Sequence, residues 1–237
     1  MKTKHILFPA AAILILVITA VGCSAQSQRS MATATSTTAA NAVGLPVIGS
    51  YQPASACDHP YYPRRAGTKK QIDSDGSTIT ETTNISGDMD NATATVTTTS
   101  TGGVDVKIYE CNPDGIFLTD WKSYNGDKQI MSTLSYSGLF FPTAEQFKIG
   151  EKWEYSIVTH KELDNGWIES ETKRSCTVAA LTSIQYQSKD IDALQVGCVN
   201  EVKDLKASGG TELQDYYDVY IFYYVYGVGI AGYKYSK

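Results

Sequence analysis

Five cysteines hold most of the chemistry open to this chain: Cys23, Cys57, Cys111, Cys176 and Cys198. The last four contain no Cys-x-x-Cys pair, and beyond the N-terminal apolar segment only His59 and His160 are available to complete a ligand set, so their spacing is wrong for a metal site. An even number of cysteines in an exported chain reads instead as a disulfide framework. Of the three connectivities, Cys57–Cys111 with Cys176–Cys198 is preferred, because each pair then stays within one half of the chain. In the 191–202 segment Cys198 shares a strand face with Leu194 and Val196, as Cys176 does with Val178, which suits a cross-strand bridge.

The other reactive residue types form no catalytic set. Neither a G-x-S-x-G elbow nor an H-E-x-x-H pair occurs, and His59 and His160 suggest no proton relay. His160 alternates out of phase with Trp153, Tyr155 and Ile157, as a solvent-facing strand histidine does. Glu169 and Glu171 share a strand face without an evident cleft, so no catalytic residue is assigned. Asp73, Asp75-Gly76 and Gly87-Asp88-Met89-Asp90-Asn91 carry oxygen ligands but do not complete a twelve-position calcium loop, and they read as turn acids; no metal site or cofactor is expected. Gly227-Val228-Gly229-Ile230-Ala231-Gly232 fits G-x-G-x-x-G, but the chain leaves no room for the helix and acid that a dinucleotide requires.

Cys23 belongs to a different pattern. Lys2 and Lys4 precede an apolar run over 6–21 that ends in Gly22-Cys23, the layout of a secretory leader. Ala20-Val21-Gly22-Cys23 resembles a bacterial lipobox, with Ala20 where leucine is usual. The resemblance implies cleavage after Gly22, a diacylglycerol thioether on Cys23 and acylation of the new amine. Several acyl chains hold stably where one is marginal, since each buried methylene contributes ~0.8 kcal/mol. An uncleaved membrane helix is the competing reading, but Pro9 and the abrupt Gly-Cys end count against it. The expected place is the extracytoplasmic side of a bacterial membrane, with the lipid as anchor.

The formal charge is −5, and removing a leader with two lysines and no acid makes the remainder more acidic still. Without a basic cluster, binding to nucleic acid and electrostatic attachment to anionic lipid are both disfavoured. Residues 23–55 are rich in Ser, Thr, Ala and Gln and bury too little apolar surface to order themselves. They read as a tether with a reach of roughly 30 Å.

From residue 56 onward the elements that must position any site are strands. Tyrosine is abundant, at 16 residues, and no long segment repeats apolar residues at helical spacing. Asp75-Gly76 predicts a hairpin between 69–74 and 78–85. Residues 92–97 and 104–108 alternate with period two, and Asn112-Pro113-Asp114-Gly115 is turn chemistry throughout. Further strands are expected over 116–122, 129–136, 152–160, 167–174, 176–181, 191–202 and 216–226, with 143–147 the best place for a single helical turn. Tyr61-Tyr62-Pro63 before Gly67 is echoed by Phe140-Phe141-Pro142 before Gly150, which suggests two related β units, 56–137 and 138–237.

In the 216–226 strand both faces are apolar or aromatic apart from Asp218. Two explanations stand: a central strand covered on both sides, or an even face whose Tyr220, Phe222 and Tyr224 line a concavity for an apolar or carbohydrate ligand.

Taken together, Tyr61-Tyr62-Pro63 with Gly67, Cys111 with Asp114-Gly115, Phe141-Pro142 with Trp153-Glu154-Tyr155, Asp192-Ala193-Leu194-Gln195-Val196 and Tyr226-Gly227-Val228-Gly229 resemble the TapB-like exported bacterial β-lipoproteins, and more distantly the Lol-type lipoprotein carriers. The resemblance spans 61–237; Thr68-Lys69-Lys70-Gln71 departs from it where an aromatic strand is usual, and the helices that plug the Lol groove are not evident. It implies a curved antiparallel sheet or incomplete barrel around a hydrophobic groove. The expectation is therefore a mainly β, lipid-anchored envelope protein that binds or carries an apolar ligand or an envelope partner without catalysis. The alternative is a structural or adhesive surface lipoprotein with no cavity.

Overall fold

The computed structural model describes residues 51–72 and 77–236; Cys23, the leader, most of the tether and the Asp75-Gly76 turn lie outside the described residues. Two short strands, β1 (Asp58–His59) and β2 (Tyr62–Pro63), pair with each other. The others are β3 (Gly67–Ile72), β4 (Thr78–Gly87), β5 (Ala92–Ser100), β6 (Gly103–Asn112), β7 (Gly115–Asn125), β8 (Lys128–Gly138), β9 (Lys152–Leu163), β10 (Gly166–Tyr186), β11 (Lys189–Ala207), β12 (Asp215–Val225) and β13 (Gly229–Ser236). They form one eleven-stranded antiparallel sheet in which each strand lies beside its neighbours in sequence, and β3 and β13 remain as open edges. The mainly β, curved and unclosed sheet is the architecture expected from the sequence.

Alternation decides which side chains turn inward. Ala92, Ala94 and Val96 of β5 are buried while their threonine neighbours are not, and Tyr109 and Cys111 continue the same face on β6. Across the sheet Trp153, Ile157, Cys176, Val178, Leu194, Val196, Cys198 and Tyr224 complete this inner core. A smaller cluster of Ile184, Ala193, Tyr223 and Val225 lies on the opposite face near the β10–β11 turn. That turn is a two-residue loop in which Gln187 and Ser188 both have positive φ, at 49° and 64°, the twist a tight hairpin demands. The two strands expected over 167–174 and 176–181 are one, because Ser175 pairs on both sides and the ladder runs through it.

The curvature has a local cause. The amide of Ala56 donates to Asp88 O before β5, and the amide of Gly227 after β12 donates to Pro60 O. In a flat sheet β5 and β12 would stand roughly 34 Å apart, at about 4.8 Å per strand. The chain between residues 56 and 60 spans at most about 14 Å. The sheet must therefore roll to bring those strand ends together under this strap. A disulfide, Cys57–Cys111, fastens the strap to β6, and a second, Cys176–Cys198, joins directly opposed residues of β10 and β11. Both are the pairs preferred from the sequence.

Two further segments shape the inner face. Residues 143–147 form one turn, with Phe147 N bonded to Thr143 O at 2.9 Å and reciprocal side-chain bonds between Thr143 and Gln146. That turn delivers Phe147 to the core, and no helix forms among the described residues. Between β7 and β8 the ladder is short, running only from Ser123–Met131 to Asn125–Lys128. Beyond it the Thr133 hydroxyl accepts from Trp121 N and donates to Trp121 O, and Phe141 rejoins the sheet opposite Ile116.

Candidate functional site

Strand register sets a row of cations among rings on the inner face. Lys107 on β6 lies opposite Val96 and Trp121, so it takes the same inward phase as Tyr109 and Cys111. Arg174 on β10 lies opposite Tyr155 and Asn200, two residues before the bridged Cys176. Arg64 follows β2 and enters from the strap, and its amide bonds Cys57 O at 3.2 Å. Each cation sits over aromatic carbon: Arg64 is 4.3 Å from the Tyr62 ring and 5.1 Å from Tyr109, and Lys107 Nζ is 4.3 Å from Trp121. Arg174 stands 5.7 Å from Tyr155, 5.6 Å from Tyr220 and 6.0 Å from Phe222.

The rings also touch one another. Phe140 packs 5.2 Å from Tyr109 and 5.0 Å from Tyr155, while Tyr220 and Phe222 stack with their planes 9° apart. Tyr62, Phe140, Tyr155, Tyr220 and Phe222 are all half-buried, so this trough has an accessible aromatic wall. Below it His59, Tyr61, Phe141, Phe147, Trp153 and Tyr224 form a closed aromatic floor.

Polar satisfaction along the wall is incomplete. Arg64 gives Nη2 to the Tyr62 hydroxyl and Nη1 to Glu81 at 3.4 Å, but its buried Nε has no partner among the described residues. The buried Nε1 of Trp121 has none either. Arg174 Nε reaches the Asn200 amide oxygen at 2.5 Å. Burial lowers the Lys107 pKa; Arg64 and Arg174 push the same way, and Tyr62 and Asp105 partly offset them. Burial raises Tyr109, Tyr155 and Tyr224, so these hydroxyls stay protonated at neutral pH.

Of the residues singled out from the sequence, Tyr220 and Phe222 lie on the accessible wall beside Arg174. Tyr224 does not: Phe141 and Phe147, each 5.4 Å away, cover it, and it belongs to the floor. The strand is therefore covered over one length and open over another. Its end at Tyr223, Tyr224 and Val225 is covered on both sides, whereas Tyr216, Tyr217 and Val219 are exposed. The sequence reading missed Arg64, Lys107, Trp121 and Arg174. The signal for Lys107 and Arg174 was their inward phase beside Cys111 and Cys176.

His160 is on the outer phase, stacked on Trp167 and flanked by Glu162 and Glu169. Asp88 bonds the amides of Asp90 and Asn91 and so closes its own turn. Gly227 and Gly229 turn the chain into β13, a strand the sequence reading did not expect. Among the described residues no cluster of three metal-ligating side chains occurs.

Comparison with known proteins returns no match to a protein-family model, to a curated protein or to a solved structure.

Proposed function

We propose that this chain is a lipid-anchored protein of the bacterial cell envelope, tethered through Cys23 on the extracytoplasmic side, that binds or carries an apolar ligand on the inner face of its sheet without catalysing a reaction. The observation that carries the reading is the half-buried wall of Tyr62, Phe140, Tyr155, Tyr220 and Phe222 above a fully packed floor. A protein that used its inner face only for stability would gain by covering those rings, as it covers Tyr224. The two disulfides support an oxidising compartment. The resemblance to TapB-like lipoproteins agrees with the same placement.

A structural or adhesive role is the second reading, favoured by exposed Tyr216, Tyr217, Tyr233 and Tyr235 along the β12–β13 edge. Native mass spectrometry of the chain isolated from its own membranes separates the two. A bound amphiphile is expected; a bare protein that takes up none when offered would overturn the carrier reading. Cys23→Ser is expected to move the protein out of the membrane fraction, and unchanged attachment and processing would refute the anchor.

A further inference from the structure

Two cations of the trough form no ion pair among the described residues. Lys107 Nζ rests on the Trp121 ring and, among the described residues, makes neither a hydrogen bond nor an ion pair. Arg174 is held by an amide oxygen, not by a carboxylate. Of the carboxylates nearby, Glu81 pairs with Arg64, Asp105 accepts from the Ser123 hydroxyl and offsets Lys107 only through space, and Asp218 accepts from the Tyr235 hydroxyl at 2.9 Å. Of the three buried side-chain atoms with no hydrogen-bond partner among the described residues, the two on this wall, Arg64 Nε and Trp121 Nε1, are donors; the third, His59 Nε2, lies in the floor. Buried donors without acceptors are unfavourable, and an arriving acceptor relieves them. A neutral ligand would leave Lys107 compensated only in part, by Asp105, and Arg174 with no carboxylate bonded to it.

We propose that the trough selects an amphiphile with an anionic headgroup, a carboxylate or a phosphate monoester, seated among Arg64, Lys107 and Arg174 with its apolar chain along Tyr220 and Phe222. The inference rests on the carrier reading and names the class of ligand for it. Three donors converge on the headgroup while the stacked rings supply a flat apolar surface for the chain. The overall acidity of the protein does not oppose this, because the selecting charges are local and half-buried.

The test uses the full chain held in a non-ionic amphipol and titrated calorimetrically, below micelle formation, with laurate, dodecyl phosphate and uncharged monolaurin. Laurate or dodecyl phosphate is expected to bind at least about tenfold more tightly than monolaurin, and the tighter of the two identifies the headgroup. Lys107→Gln with Arg174→Gln should abolish that preference, the loss falling mainly on the anionic probes, while Lys107→Arg should keep it. If the double variant melts early, the wild-type ratio alone still decides. Equal affinity for all three probes would overturn the headgroup selection and leave the carrier reading intact. No binding of any probe would sink both. Preference for a hexuronate oligosaccharide over laurate would overturn the amphiphile assignment.

Discussion

His59 gives the sharpest stability test of the strap. The side chain is buried between Tyr61, Phe141 and Phe147, with Nδ1 accepting the Tyr61 amide at 3.0 Å and Nε2 facing the Thr143 backbone outside good bonding geometry. Burial lowers its pKa from 6.5 to about 4. The folded state then binds fewer protons than the unfolded state between those values. Stability is full above pH 6.5 and falls as the pH drops toward 4. At 1.36 kcal/mol per unit the whole loss is about 3 kcal/mol, and about 2 kcal/mol of it is spent by pH 5.

Urea unfolding by tryptophan fluorescence from pH 4 to 7.5, with disulfides intact, measures this directly. His160→Gln removes the other described histidine from the background. His59→Asn keeps an acceptor for the Tyr61 amide but has no titrating ring. It is expected to be less stable at pH 7.5, by about 1–2 kcal/mol for the lost packing, and to show a much flatter profile down to pH 5. The two proteins carry the same carboxylates, so the difference between their profiles reports on His59 and its contact with Asp58. Parallel pH profiles for the two would refute the argument.

Three other outcomes follow from the same geometry. Cys57→Ala with Cys111→Ala should destabilise by about 4 kcal/mol and Cys176→Ala with Cys198→Ala by about 3 kcal/mol, from loops of 54 and 22 residues, as read from denaturant midpoints. Gly138 has φ +80° and a Cβ there would lie 2.4 Å from Glu154 O, so Gly138→Ala should lower stability by about 2 kcal/mol or more in a thermal melt. The Asp58 carboxylate is fully buried and takes bonds from Tyr51, Ala54 N and Arg65. Asp58→Ala should therefore cost about 2–3 kcal/mol and speed hydrogen exchange at Ala54 before the β5–β6 amides.

How much of this was legible beforehand depends on how far each feature reaches along the chain. Strands β5, β6 and β9 announced themselves because alternation repeats within a few residues, and Asn112-Pro113-Asp114-Gly115 announced the turn between β6 and β7. The Cys176–Cys198 bridge was legible for the same reason: both residues sit on inward phases of adjacent strands. β13 was missed, since Gly229 and Gly232 interrupt its pattern and its pairing with β12 supplies what its own residues do not.

The trough was not legible. The phase of Lys107 beside Cys111 and of Arg174 beside Cys176 marks each as inward, but no local pattern says that β6 and β10, four strands apart, bring them to one wall. Sequence alone determined an antiparallel succession of strands with two cysteine pairs, because hydrogen-bonding register and side-chain phase are set by near neighbours. Only the tertiary structure decided that Arg64, Lys107 and Arg174 share one aromatic wall. That meeting depends on a strap near residue 57 that joins the turn at Asp88 to the turn at Gly227, a closure between distant parts of the chain that no local pattern encodes.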